Sequence, residues 1–213
     1  VEELMVEMHL LSVNAEFSYD PIFGFGVVSA FDRFMQGYRP EADVDSIFNA
    51  LCRAIGSDPQ VYRSDAESLG TWAVNKSLPD LVASLSTPSQ SDTAPQLQDV
   101  LNRLLNQGQF KYSRLFAIGL YTLLELASPD LGRDEARQSE VLGRLTDALH
   151  LPMDKLKKDI SLYRINLEKL IQAQQVMSDI LQADRKQKER RATEQEPAIT
   201  PSSASTDQPS DPV

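Results

Sequence analysis

The amino-acid sequence predicts an all-α protein, and three observations carry that expectation. Apolar residues recur three and four apart through most of the 213 residues, the spacing that gathers them on one face of a helix. The periodic segments are opened by Asp-Pro pairs and closed by glycines, which are helix start and stop signals. No stretch shows the period-two alternation, rich in β-branched residues, that marks a strand. The architecture expected is a compact multi-helix bundle over 1–151, a long C-terminal coiled-coil-like helix over 152–191 that partly projects, and a disordered tail over 192–213.

The first element follows from Val1, Leu4, Met5, Met8 and Leu11, with Val6, Leu10 and Val13 loading a second face. A helix apolar on two faces is expected at the centre of its bundle. Asp20-Pro21 opens the next helix: aspartate caps free backbone N–H groups and proline suits the first helical position. It runs from Ile22 to Met35 with Phe23, Phe25, Phe31 and Phe34, and Gly37 stops it. Gly24 and Gly26 within it have no preceding strand, so they read as points of close helix packing and not as a phosphate loop. The third helix, about Val44 to Ile55, buries Ile47, Phe48 and Leu51 and ends at Gly56. Asp58-Pro59 starts a fourth towards Val74, and Pro79 to Leu85 is a short fifth.

Ser86 to Asp92 is polar and turn-forming, a loop. Leu97, Val100, Leu101, Leu104 and Leu105 mark a sixth helix, broken at Gln107-Gly108. The seventh, Tyr112 to Leu126, is the most apolar and reads as a core helix; its apolar run falls short of the roughly 20 residues that span a bilayer. After the turn Ser128-Pro129-Asp130, an eighth helix covers about Asp134 to Leu149. In the last element Leu156, Ile160, Tyr163, Leu167, Leu170, Gln174, Met177 and Leu181 repeat at alternating spacings of four and three, a heptad seam. Its first part is expected to pack on the body. Gln174 is a polar break that can fix register or partner choice. The chain opens at Val1 inside a helical pattern, without an initiating Met, so an N-terminal piece is expected ahead of it.

Charge is divided along the chain. Residues 1–154 hold 11 Lys+Arg against 22 Asp+Glu, whereas 155–191 hold 10 basic against 5 acidic. An acidic body repels nucleic acid and anionic lipid, so no nucleic-acid partner is expected. A helix, a Leu-Pro turn and the cluster Lys155, Lys157 and Lys158 resemble a helix-turn-helix only faintly. That is the lesser alternative.

Catalytic constellations are missing from the sequence. There is no phosphate-binding loop, no histidine pair at metal spacing and no nucleophile elbow. The single cysteine, Cys52, lies in an apolar helical pattern and reads as a small buried hydrophobe. Glu2, Glu3 and Glu7 cluster, as do Asp43 and Asp45, but Glu7 and His9 are two apart and do not share a helix face. No enzyme activity, metal, cofactor or small-molecule substrate is expected.

Three blocks resemble the thylakoid formation family. They are Glu2-Glu3-Leu4-Met5-Val6-Glu7-Met8-His9-Leu10-Leu11, then Tyr19-Asp20-Pro21-Ile22-Phe23-Gly24-Phe25-Gly26 with Phe31-Asp32-Arg33-Phe34-Met35-Gln36-Gly37-Tyr38, and Ile47-Phe48-Asn49-Ala50-Leu51-Cys52 with Asp58-Pro59. The resemblance covers roughly residues 1 to 190. It implies a non-catalytic protein of oxygenic phototrophs, peripheral to the thylakoid membrane on its cytoplasmic or stromal side. Such a protein supports photosystem II biogenesis and repair, in part by sustaining membrane FtsH protease complexes. The expected docking arm is the last helix, with Leu170, Met177 and Leu181 as anchors, Tyr163 and Gln174 in the seam, and Lys169, Arg185 and Lys186 as flanking cations. The alternative is a seam that packs within the chain or pairs with a second copy, a homodimeric structural coiled coil at the thylakoid surface.

Overall fold

Helix caps organise the chain as the Asp-Pro signals predict. In the computed structural model the described residues are 2–88, 93–106 and 110–194, with side chains described as far as 189. Every regular element among them is helical. Asp20 Oδ1 accepts a hydrogen bond from the Phe23 N–H at 2.8 Å and opens α2 (Pro21–Phe34), which follows α1 (Glu2–Ser12). α3 (Val44–Ala54) ends at Gly56, whose φ of +72° is a left-handed conformation that glycine adopts without strain. Asp58 Oδ1 accepts from Gln60 N–H at 2.9 Å and starts α4 (Pro59–Val74). Ser77 caps α5 (Leu78–Ser86), and α6 (Gln98–Leu105) follows a short 3-10 turn. α7 (Arg114–Ala127) begins two residues later than the sequence suggests, because the Ser113 hydroxyl caps it by accepting from Phe116 N–H at 3.0 Å. Asp134 caps α8 (Glu135–Leu149), and the left-handed His150 turns the chain into α9 (Met153–Glu194). The expected break at Gln107-Gly108, most of the loop up to Asp92 and nearly all of the expected tail lie outside the described residues.

The core is built around α2 and α7, which share the most extensive contact, with α4 packed on both. Gly26 and Gly119 face each other at the crossing. A β-carbon at Gly26 would land on the Leu115 carbonyl oxygen, and one at Gly119 on the Ile22 carbonyl oxygen. The two backbones therefore touch, and flanking side chains close around them: Ile22, Phe23, Val27, Phe31, Phe116, Leu120 and Leu123 are buried. Close packing expected at the α2 glycines is thus found at Gly26, with Gly119 as its counterpart.

The expectation for α1 is overturned. Only Met8 of this helix is buried, while Val6, Leu10 and Val13 are 53, 62 and 66 % exposed. α1 is peripheral, because the centre is taken by α2 and α7, whose glycines admit an approach that no side-chain-bearing pair allows.

The chain divides into two units, Val1–Leu170 and Ile171–Val213. In the first, α9 buries Leu156, Ile160 and Tyr163 against the bundle. Polar contacts add to this: Tyr112 OH donates to Asp159 Oδ2 at 2.8 Å, and Arg164 Nη2 donates to the Gly132 carbonyl at 2.7 Å. In the second, every described side chain from Ile171 onward is exposed. Among the described residues no helix is long and apolar enough to cross a membrane.

Candidate functional site

A groove of about 520 Å³ lies in the first unit between α1, α2, α7 and α9. Helical spacing sets its walls. Glu3 and Leu4 come from the first turn of α1 and Glu7 from the next, Ala30, Phe31 and Phe34 from α2, and Leu115 and Ile118 from α7. Leu162, Asn166, Lys169 and Leu170 line it from α9. Ala30, Phe31, Leu115, Ile118 and Tyr163 are buried and make its apolar base, whereas Phe34 and Leu162 remain exposed.

Its polar groups are few and distinct in role. Arg114 Nε and Nη2 donate to Glu7 Oε2 at 2.9 and 2.6 Å, a half-buried ion pair that ties α1 to the start of α7. Tyr163 links the groove to an ion pair outside its lining: its hydroxyl accepts from Arg33 Nη1 at 3.3 Å, and Arg33 Nη2 lies 2.9 Å from Glu125 Oε2. Burial pushes the Tyr163 phenol above its ordinary range, against the pull of Arg33. Glu3 and Lys169 are exposed. An apolar base with a sparse, mixed-charge rim suits the side of an amphipathic helix.

Among the described residues no group of three or more His, Cys, Asp or Glu side chains could hold a metal ion. Cys52 is fully buried, and burial pushes its thiol up to about 11, so it remains a protonated core side chain at neutral pH.

The residues expected to dock a partner are distributed unevenly. Tyr163 is buried in the bundle and also touches the groove, where Lys169 and Leu170 join it. Gln174, Met177, Leu181, Arg185 and Lys186 belong to the second unit and are exposed, Met177 and Leu181 by 63 and 64 %. Sequence reasoning missed Leu4, Glu7, Phe34, Arg114 and Leu162. They lie on four helices, and no local pattern joins Glu7 to an arginine 107 residues away. In the segment that faintly resembles a helix-turn-helix, Lys155 sits 4.8 Å above the Tyr112 ring and Lys157 donates to Ser139 Oγ at 2.8 Å.

Fold and groove together define an all-α protein with an apolar, helix-lined groove. Its relatives narrow this. The family model described as thylakoid formation protein matches residues 1–192. Protein Thf1 of Nostoc sp. (strain PCC 7120) is 55 % identical over 203 residues, covering 94 % of this chain and 85 % of that protein. Protein Thf1 of Trichormus variabilis is 54 % identical over 201 residues, with 94 % and 85 % covered. A solved structure of Psb29 superposes with a TM-score of 0.72 at 41 % identity, covering 88 % of this chain and 86 % of that one. The chain belongs to the thylakoid formation protein family.

Proposed function

We propose that this chain is a non-catalytic factor for photosystem II biogenesis and repair and for thylakoid membrane organisation. It acts from the membrane surface, on the cytoplasmic or stromal side, by binding and stabilising membrane FtsH protease complexes. The observation that carries the reading is the distal part of α9, where Met177 and Leu181 stand exposed beside Val176 and Ile180. Four large apolar side chains within two turns of a helix are what a partner's groove accepts. Leu170 leads into this stripe, Gln174 interrupts it, and Lys169, Arg185 and Lys186 flank it with positive charge. Tyr163 fixes the root of the helix in the bundle. Binding an assembled complex in preference to its separated subunits stabilises it by mass action, with no chemical step.

The test is recovery of FtsH from solubilised thylakoids by the full chain and by a chain ending at Leu170. Loss of recovery with the shorter chain is expected. Equal recovery by both removes the distal helix from the mechanism.

A further inference from the structure

Among the described residues two apolar helix faces are exposed, one beside acidic and one beside basic side chains. On α1 and the turn that follows it, Val6, Leu10 and Val13 keep helical spacing on the face turned away from Leu4, Met8 and Leu11, which pack on the bundle. Glu2 and Glu3 stand exposed at the N-terminal end of α1, Glu2 on that outer face and Glu3 between it and the rim of the groove, and no lysine or arginine occurs in α1. On the distal part of α9, Val176, Met177, Ile180 and Leu181 are exposed, and residues 184–191 immediately beyond hold five basic against two acidic side chains. Each face has the length of about two helical turns.

We infer that these faces are complementary across two molecules: the distal α9 of one copy lies antiparallel on the outer face of α1 of a second copy. Direction follows from charge. Antiparallel docking sets Leu181 near Val6 and Met177 near Leu10 and Val13, so Arg185, Lys186 and Lys188 arrive at Glu2 and Glu3. Parallel docking would carry the basic end past Val13 and leave the two glutamates unanswered. Asp184 shares the basic end and offsets one of its charges, which leaves the net attraction positive to negative. A two-fold axis repeats the contact, so both faces of both copies are covered and the assembly closes as a dimer. Duplication matters energetically, because one such contact is small beside the roughly 1,200–2,000 Å² of a specific interface, whereas two approach it.

The dimer and the FtsH complex use the same stripe of α9, so they are alternative occupants of one face; a chain that fails to dimerise can still recover FtsH, and one that fails to recover FtsH can still dimerise. The test of the dimer is sedimentation velocity of the full chain over a wide concentration range, with circular dichroism confirming that each variant is folded. A concentration-dependent dimer is expected, weakened by added salt. Leu10→Glu and Leu181→Glu should each raise its Kd at least about tenfold, since each puts a charge where a leucine was buried. Glu2→Lys with Glu3→Lys should weaken it, as should Arg185→Glu with Lys186→Glu, and a chain carrying all four exchanges should recover dimerisation. Mixing a Val13→Cys chain with a Met177→Cys chain should give a disulfide-linked heterodimer, Cys52 being buried. A chain that remains monomeric at the highest concentration overturns the inference. So does a dimer lost with Leu181→Glu but indifferent to Leu10→Glu, which would mean that distal helices pair with each other.

Discussion

Gly26 and Gly119 oppose each other so closely across the α2–α7 crossing that a β-carbon at Gly26 would come within 2.8 Å of the Gly119 amide nitrogen. The atom it would strike most severely is the Leu115 carbonyl oxygen, part of a helical backbone that cannot rotate aside. Gly26→Ala must therefore separate the two central helices and loosen the side chains packed around them. Overpacking of this kind costs about 3 kcal/mol, possible relief coming only from sliding the helices. Urea unfolding should show the midpoint falling by that equivalent for Gly26→Ala and for Gly119→Ala. The double variant should cost less than the sum, because either substitution alone already forces the separation.

The Glu7–Arg114 ion pair is the polar tie between α1 and the bundle, on the rim of the groove. With the side chains 18 and 33 % exposed, it is only partly screened by solvent. A double-mutant cycle with Glu7→Gln and Arg114→Gln should return a coupling of about 1 kcal/mol. Since Met8 is the sole buried residue of α1, weakening the tie should raise amide exchange in α1 before any other helix. Uniform acceleration through all helices would show that α1 opens only with the whole bundle.

Legibility of the sequence tracked how local each cause is. Asp20 and Asp58 announce their helices because a cap acts on an N–H two or three residues away. The heptad seam from Leu156 is visible for the same reason, being one face of one helix. What it rests against is not visible: Tyr163 and Met177 occupy equivalent seam positions, yet one is buried and the other exposed. The place of α1 is hidden for the same reason. Its two apolar faces state that burial is favourable on both sides, while the choice of central helix was made elsewhere, by Gly26 meeting Gly119 at 93 residues' separation. The groove, with walls from four helices, has no local signature at all.

Asp20 gives the fold a pH dependence of definite sign. Its carboxyl is buried, and burial pushes it from the ordinary value of 3.8 up to about 7, although the Phe23 N–H and the Arg103 charge pull it down. A carboxyl raised on folding binds its proton more tightly in the native state. Its contribution is complete below the unfolded value and is lost as pH rises through the folded one, by as much as about 4 kcal/mol. Asp20→Asn keeps a side-chain oxygen for the cap but cannot ionise. The wild-type chain should therefore lose stability relative to Asp20→Asn between about pH 4 and pH 7, as read from urea midpoints. A constant difference between the two proteins across that range would show that Asp20 does not change its protonation there.

The burial pattern of α9 predicts where the chain can be shortened. Leu156, Ile160 and Tyr163 are buried, Leu167 is half-buried against the core, and no described side chain beyond Leu170 is buried. Removing residues 171–213 should leave the thermal midpoint within about 2 °C of the full chain, because exposed helix contributes little to stability in water. Tyr163→Ala should act oppositely. It empties a buried site, breaks the edge contact with the Phe34 ring at 6.1 Å and leaves Arg33 without its hydroxyl partner. A loss of about 3–5 kcal/mol follows from the cavity. Calorimetry of the two variants separates a helix that is structural only at its root from one whose whole length stabilises the fold. A large drop on shortening would place stabilising contacts beyond Leu170 and would remove the basis for comparing the shortened chain in the FtsH recovery experiment.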